Sequence, residues 1–120
     1  MILVISSKRP NKAEKHWHDW LKQQQCPVNG KPNALHHCIG STAKHKKIHI
    51  GQWFCVGISY EAHQGPQGIH SDKSIFPPGW GKKRLEIEKF IFSMQSLNYE
   101  NDTGEKIPAE VIDAIMDYHK

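Results

Sequence analysis

Apolar residues recur at helical spacing near both ends of this chain and at strand density in its middle. Ala13, Trp17, Trp20 and Leu21 fall at i, i+4, i+7 and i+8. That spacing predicts a helix from about Asn11 to Gln25 that buries both tryptophans. Asn11, with Glu14 three residues on, supplies a capping box at its start. His16 and His18 flank Trp17 and are expected at its solvated or half-buried surface. Pro27, the Asn29-Gly30 dipeptide and Pro32 then rule out helix and mark a turn. Asn33–Ile39 and Gly51–Ser59 read as two strands, joined by the polar, basic connection Gly40–Ile50 as a long-looped hairpin. Gly65, Pro66 and Gly68 make Tyr60–Ile69 a loop, and Ser71–Phe76 a short helix capped by Ser71.

Phe76-Pro-Pro-Gly-Trp-Gly81 is a stiff spacer. A helix is predicted over about Lys82–Leu97 with Ile87, Phe90, Ile91 and Met94 on one face. Asn98–Lys106 is polar and acidic and reads as a connector. Pro108 then opens a last amphipathic helix carrying Val111, Ile112, Ile115 and Met116. At the other end, Ile2–Ile5 is an edge strand or a packed arm. The elements predict an α+β fold in one domain, residues 1–120. Its core motif covers about 34–76, between an N-terminal helix at about 11–25 and a C-terminal helical extension at about 82–119.

Composition narrows the partners. No apolar run approaches the ~20 residues that cross a bilayer, and Met1–Ile5 is too short for a signal peptide, so no membrane and a cytoplasmic setting are expected. Cys26, Cys38 and Cys55 are odd in number and widely spaced, which fits neither a disulfide framework nor a four-cysteine zinc site. The net charge of +4 is divided: residues 1–99 carry +8 and residues 100–120 carry −4. Between Leu21 and Tyr60 there is no acidic residue, whereas Lys22, Lys31, Lys44, Lys46 and Lys47 all lie there. An isolated lysine cluster is ordinarily a solvated face. This one overlaps a set of histidines, and the overlap points to a polyanion. The acidic tail, in turn, is a candidate surface for a protein partner, or a cover folded back on the basic body.

Those histidines carry the candidate chemistry. His36-His37 opens the central stretch, and His63 and His70 close it across Gln64–Ile69. Neighbours in a strand point to opposite faces, so His36 and His37 are expected to divide the work, one as a metal ligand and the other as a base. His45 and His49 read as exposed loop residues.

The words His36-His37-Cys-Ile-Gly40, Gly51-Gln-Trp53-Phe-Cys55 and His63-Gln-Gly65-Pro-Gln-Gly68-Ile-His70-Ser-Asp-Lys73-Ser-Ile-Phe76 resemble the phage branch of the HNH (His-Me finger, ββα-metal) nucleases, near the phage recombination-enhancement nuclease. The resemblance spans about Asn11–Phe76. It implies a metal-dependent DNA endonuclease of phage or prophage origin, with His36, His63 and His70 as ligands of one divalent cation and His37 as general base. Lys44, Lys46, Lys47 and Lys73 would hold the DNA backbone. A histidine-rich set suits Zn, Ni or Mn, and the hydrolysis also runs on Mg. An ordinary imidazole, with pKa about 6.5, is well placed to take a proton from water near pH 7.

The chain departs from the family where relatives carry a zinc knuckle. Its corresponding words are Cys26-Pro-Val-Asn29 and Gly57-Ile-Ser59-Tyr-Glu-Ala62-His63, so no structural zinc is expected. Two other readings stand beside the nuclease: a DNA-binding recombination accessory that does not cut, and an adaptor that docks a protein through the acidic C-terminal helix.

Overall fold

A computed structural model describes residues 9–64, 68–69 and 76–119. The Ile2–Ile5 run, the Ser71–Phe76 helix apart from Phe76, and the candidate residues His70 and Lys73 lie outside the described residues. The order is α1 (Lys12–Gln23), β1 (Ala34–His37), β2 (Lys44–His45), β3 (Ile48–His49), β4 (Cys55–Ile58), α2 (Tyr60–Gln64), a 3-10 turn (Pro78–Trp80), α3 (Arg84–Thr103) and α4 (Ala109–Asp117). Helices with two small antiparallel sheets make an α+β fold, as the sequence pattern predicts. No helix among the described residues is long and apolar enough to cross a membrane.

The first helix starts where the sequence places it. Asn11 Oδ1 accepts from the Glu14 backbone N–H, and Glu14 Oε1 accepts from the Asn11 N–H, both at 2.8 Å. These bonds satisfy donors that a helix start otherwise leaves unmatched. Trp17 and Leu21 are fully buried, and Trp20 nearly so. Contrary to expectation, His18 is buried as well. The inward face runs Glu14, Trp17, His18, Leu21, and two polar members obscure its i, i+3, i+4, i+7 spacing in the sequence.

The hairpin is built differently from the simple two-strand reading. β1 pairs antiparallel with β4 in the register Ala34↔Ile58, Leu35↔Gly57, His36↔Val56 and His37↔Cys55. The second strand is shorter than Gly51–Ser59, because Ile50–Phe54 is a tight turn in which Ile50 O accepts from both Trp53 N and Phe54 N. Gly51 is required there, since a Cβ would lie 2.3 Å from Gly40 O. The basic connection forms its own two-stranded hairpin, β2 with β3. Its turn residues Lys46 and Lys47 have φ of 50° and 70°, a conformation that costs most residues about 1–2 kcal/mol.

All four residues of β4 are buried, with α1 and α3 packed on it. Gln95 of α3 closes the strand's other edge: its Oε1 accepts from Gly57 N at 2.9 Å and its Nε2 donates to Gly57 O at 2.8 Å. The side-chain amide thus supplies the bonds a neighbouring strand would make.

Two boundaries and one helix face also depart from expectation. Tyr60–Gln64 is a helix rather than a loop, held at its base by Ser59 Oγ accepting from Ala62 N. α3 continues through the expected connector to Thr103, and Gly104 ends it with φ 77°. Its inward face is Ile87, Glu88, Ile91, Phe92, Gln95 and Tyr99, so Phe90 is exposed and stacks on Trp80 instead.

α4 turns Val111 and Ile115 into the chain's own core and packs on β3. Any protein partner for α4 would therefore meet its exposed acidic side, Glu110 and Asp113.

Candidate functional site

His36 and His37 leave β1 on opposite sides, as strand geometry requires. His36 is buried and turns toward α2 and α3. Its ring centroid lies 4.2 Å from that of His63 on α2. His37 is exposed at the strand's end and faces α1 and the Ile50–Phe54 turn. The structure therefore brings His36 and His63 together and sets His37 on a different group of neighbours.

The pairing of β1 with β4 fixes His36, and the turn at Ser59 carries the chain straight from β4 into α2. Gly68 lies against the end of α2, where a Cβ would sit 2.8 Å from His63 O. Ile69 N donates to Ala62 O at 2.7 Å and ties the following chain to the same helix.

Two side chains that the sequence reading missed complete the His36 side. Glu88 of α3 is 2% exposed, and its Oε2 is 2.6 Å from His36 Nε2 and 3.1 Å from Arg84 Nε. Cys38 is buried against the same carboxylate, and burial followed by the Glu88 charge pushes its thiol well up from the ordinary value. One ligand atom from each of His36, Cys38 and Glu88 lies within 4.8 Å of the others. The signal for Glu88 was present in the sequence as a carboxylate one residue after Ile87 and three before Ile91, inside the buried stripe of α3.

On the other side, Gln52 organises the exposed base candidate. Its backbone oxygen accepts from His18 Nε2, and its side-chain oxygen is 3.1 Å from His37 Nε2. The His18 and His37 rings meet nearly edge-on at 5.6 Å. Burial holds the His18 imidazole below its ordinary 6.5, against the opposing effect of the Gln52 carbonyl. His18, His37 and Cys55 form a second group with ligand atoms within 4.8 Å.

Among the candidate backbone-binding lysines, Lys44, Lys46 and Lys47 are exposed on the β2–β3 hairpin. Lys46 Nζ is 2.8 Å from Asp117 Oδ2, and His45 Nε2 is 2.9 Å from the same oxygen. His45 is half-buried by this contact and by the Tyr118 ring, so it is not the exposed loop residue its setting predicted.

The expected knuckle positions are joined by hydrogen bonds. Asn29 Nδ2 donates to Ser59 Oγ at 2.9 Å, and Gly30 N donates to Cys26 O at 2.9 Å. Side-chain polarity thereby links the Cys26–Lys31 turn to the start of α2.

The donor chemistry suits a divalent cation. Imidazoles in contact, beside a buried carboxylate, are ligands and ligand supports for borderline metals. No protein-family model matches the chain, and no curated protein and no solved structure is significantly similar to it.

Proposed function

We propose that this protein is a metal-dependent DNA endonuclease that hydrolyses phosphodiester bonds. The observation that carries the reading is the contact of His36 on β1 with His63 on α2, beside an exposed His37. The motif resemblance to HNH nucleases points the same way, and the phage and recombination setting rests on that resemblance alone. His36 and His63, with His70, would hold one Mg, Mn, Ni or Zn ion. When bound, such an ion polarises a phosphate and stabilises the departing sugar oxygen.

The chain's own residues supply the rest. His37 donates through Nε2 to Gln52, which leaves Nδ1 to take a proton from the attacking water. A DNA backbone crossing the end of β1 would meet the exposed His37. The exposed Lys44 and Lys47 of the β2–β3 hairpin would hold its phosphates without reading bases. Three free, buried cysteines fit a reducing cytoplasm.

Plasmid nicking with each of the four metals tests the reading. His37→Ala is expected to lower the rate by about 10²–10⁴-fold with metal affinity unchanged, and His63→Ala to lower both. Nicking that survives in either variant defeats the assignment. The lysine hairpin, which is built independently of the histidines, favours a second reading as a non-cleaving DNA-binding accessory. Tight, salt-sensitive DNA binding without nicking in any metal would select it.

A further inference from the structure

A buried polar contact joins β1 to a helix beyond the histidine words. His36 and Glu88 are 3% and 2% exposed and only 2.6 Å apart. Burying a carboxylate this deeply is unfavourable unless hydrogen-bond donors meet it. Oε2 is matched twice, by the His36 ring and by Arg84 Nε one helical turn earlier. A carboxylate oxygen accepts and cannot donate, so this contact places the His36 proton on Nε2.

We infer that Glu88 is a positioning residue for the metal centre: it fixes the His36 ring in the Nε2–H tautomer and so presents Nδ1 to the cation. The inference rests on the reading of His36 as a ligand and adds the side chain that orients it. A carboxylate behind an imidazole raises its basicity and holds its plane, and losing such a partner typically weakens metal affinity by about 10–100-fold. Arg84 plays the outermost part, holding Glu88 against the ring. A merely structural Glu88 would stabilise the α3–β1 contact without any consequence for the ring's proton.

The experiment measures two properties on the full chain, neither of which needs DNA. Ring ¹⁵N shifts of His36 in metal-free protein report the tautomer, and calorimetric titration with Zn²⁺ reports affinity. Wild type is expected to show the Nε2–H form. Glu88→Gln keeps an acceptor and should preserve the tautomer while weakening zinc about tenfold. Glu88→Leu should lose the tautomer and weaken zinc further, and Arg84 at the helix edge can then turn to solvent.

Ring shifts and zinc affinity in Glu88→Leu within twofold of wild type would overturn the inference, as would a wild type that binds no zinc. A cobalt–thiolate charge-transfer band lost in Cys38→Ser would overturn it too, by making Cys38 a direct ligand and placing the cation on the Glu88 side of the ring. Failure of the nuclease reading looks different: no nicking, with the tautomer and its dependence on Glu88 intact.

Discussion

At the level of single residues, burial makes His18 a pH-sensitive part of the core. Its folded pKa lies below 6.5, so it supports the native state fully above that value and less as pH falls toward its depressed one. The urea midpoint of wild type should therefore decline below about pH 6.5, and His18→Gln should flatten that decline. An unchanged profile in the variant would place the acid sensitivity elsewhere. The turn residue Lys47 offers a second test. At φ 70° it carries a conformational cost that glycine lacks, so Lys47→Gly should stabilise the fold by about 0.5–1 kcal/mol. If Lys47 holds a phosphate, the same change should make the logarithmic salt dependence of DNA binding shallower by about 1. Both residues show how far single positions could be read. Lys47 was identifiable as a cation, but its left-handed backbone depends on the β2–β3 pairing. His18 was taken for surface because burial of an imidazole depends on a distant acceptor, the Gln52 carbonyl.

Among elements, those with local determinants were the most legible. α1 follows from its capping box and the spacing of Trp17 and Leu21. α2 was missed because five residues beside a Gly/Pro-rich loop carry little periodicity, and because its anchor is the side chain of Ser59. α3 was cut short because Asn98–Thr103 is polar on its outer side, although Tyr99 and Gly104 marked its real extent. One carboxylate ties the end of α4 to the basic hairpin. Hydrogen bonds from Lys46 and then His45 hold Asp117 down from 3.8 to about 2. Being depressed, this pKa gives stability that is complete above 3.8 and lost as pH falls through about 2. The His45–Tyr118 contact, followed by NMR, should persist at pH 4 and loosen toward pH 2. If the hairpin holds DNA as proposed, Asp117→Asn removes the charge competing for Lys46, and DNA affinity at low salt should rise about two- to five-fold. Unchanged affinity would mean that the acidic helix does not restrain the hairpin.

Across the whole molecule, the α+β class was legible from the alternation of helical and strand-like spacing, and His36 and His63 as members of one set from the family resemblance, although the helix that carries His63 reads as a loop in the sequence. The support behind them was not. Glu88, Arg84 and Gln52 become neighbours of the histidines only when α3 and the Ile50–Phe54 turn pack against β1. Gln95 acts at this scale as well. With β1 on one side, β4 has a second edge whose Gly57 donor and acceptor are both taken by the Gln95 amide. Gln95→Leu leaves two buried backbone groups unmatched, at a cost of about 2–4 kcal/mol in urea unfolding. A strand edge opened in this way is a template for another chain. The variant should therefore sediment as higher-order species as its concentration rises, whereas wild type keeps that edge closed. One glutamine would then keep a sheet edge from becoming a joint between molecules, a duty separate from anything the histidines do.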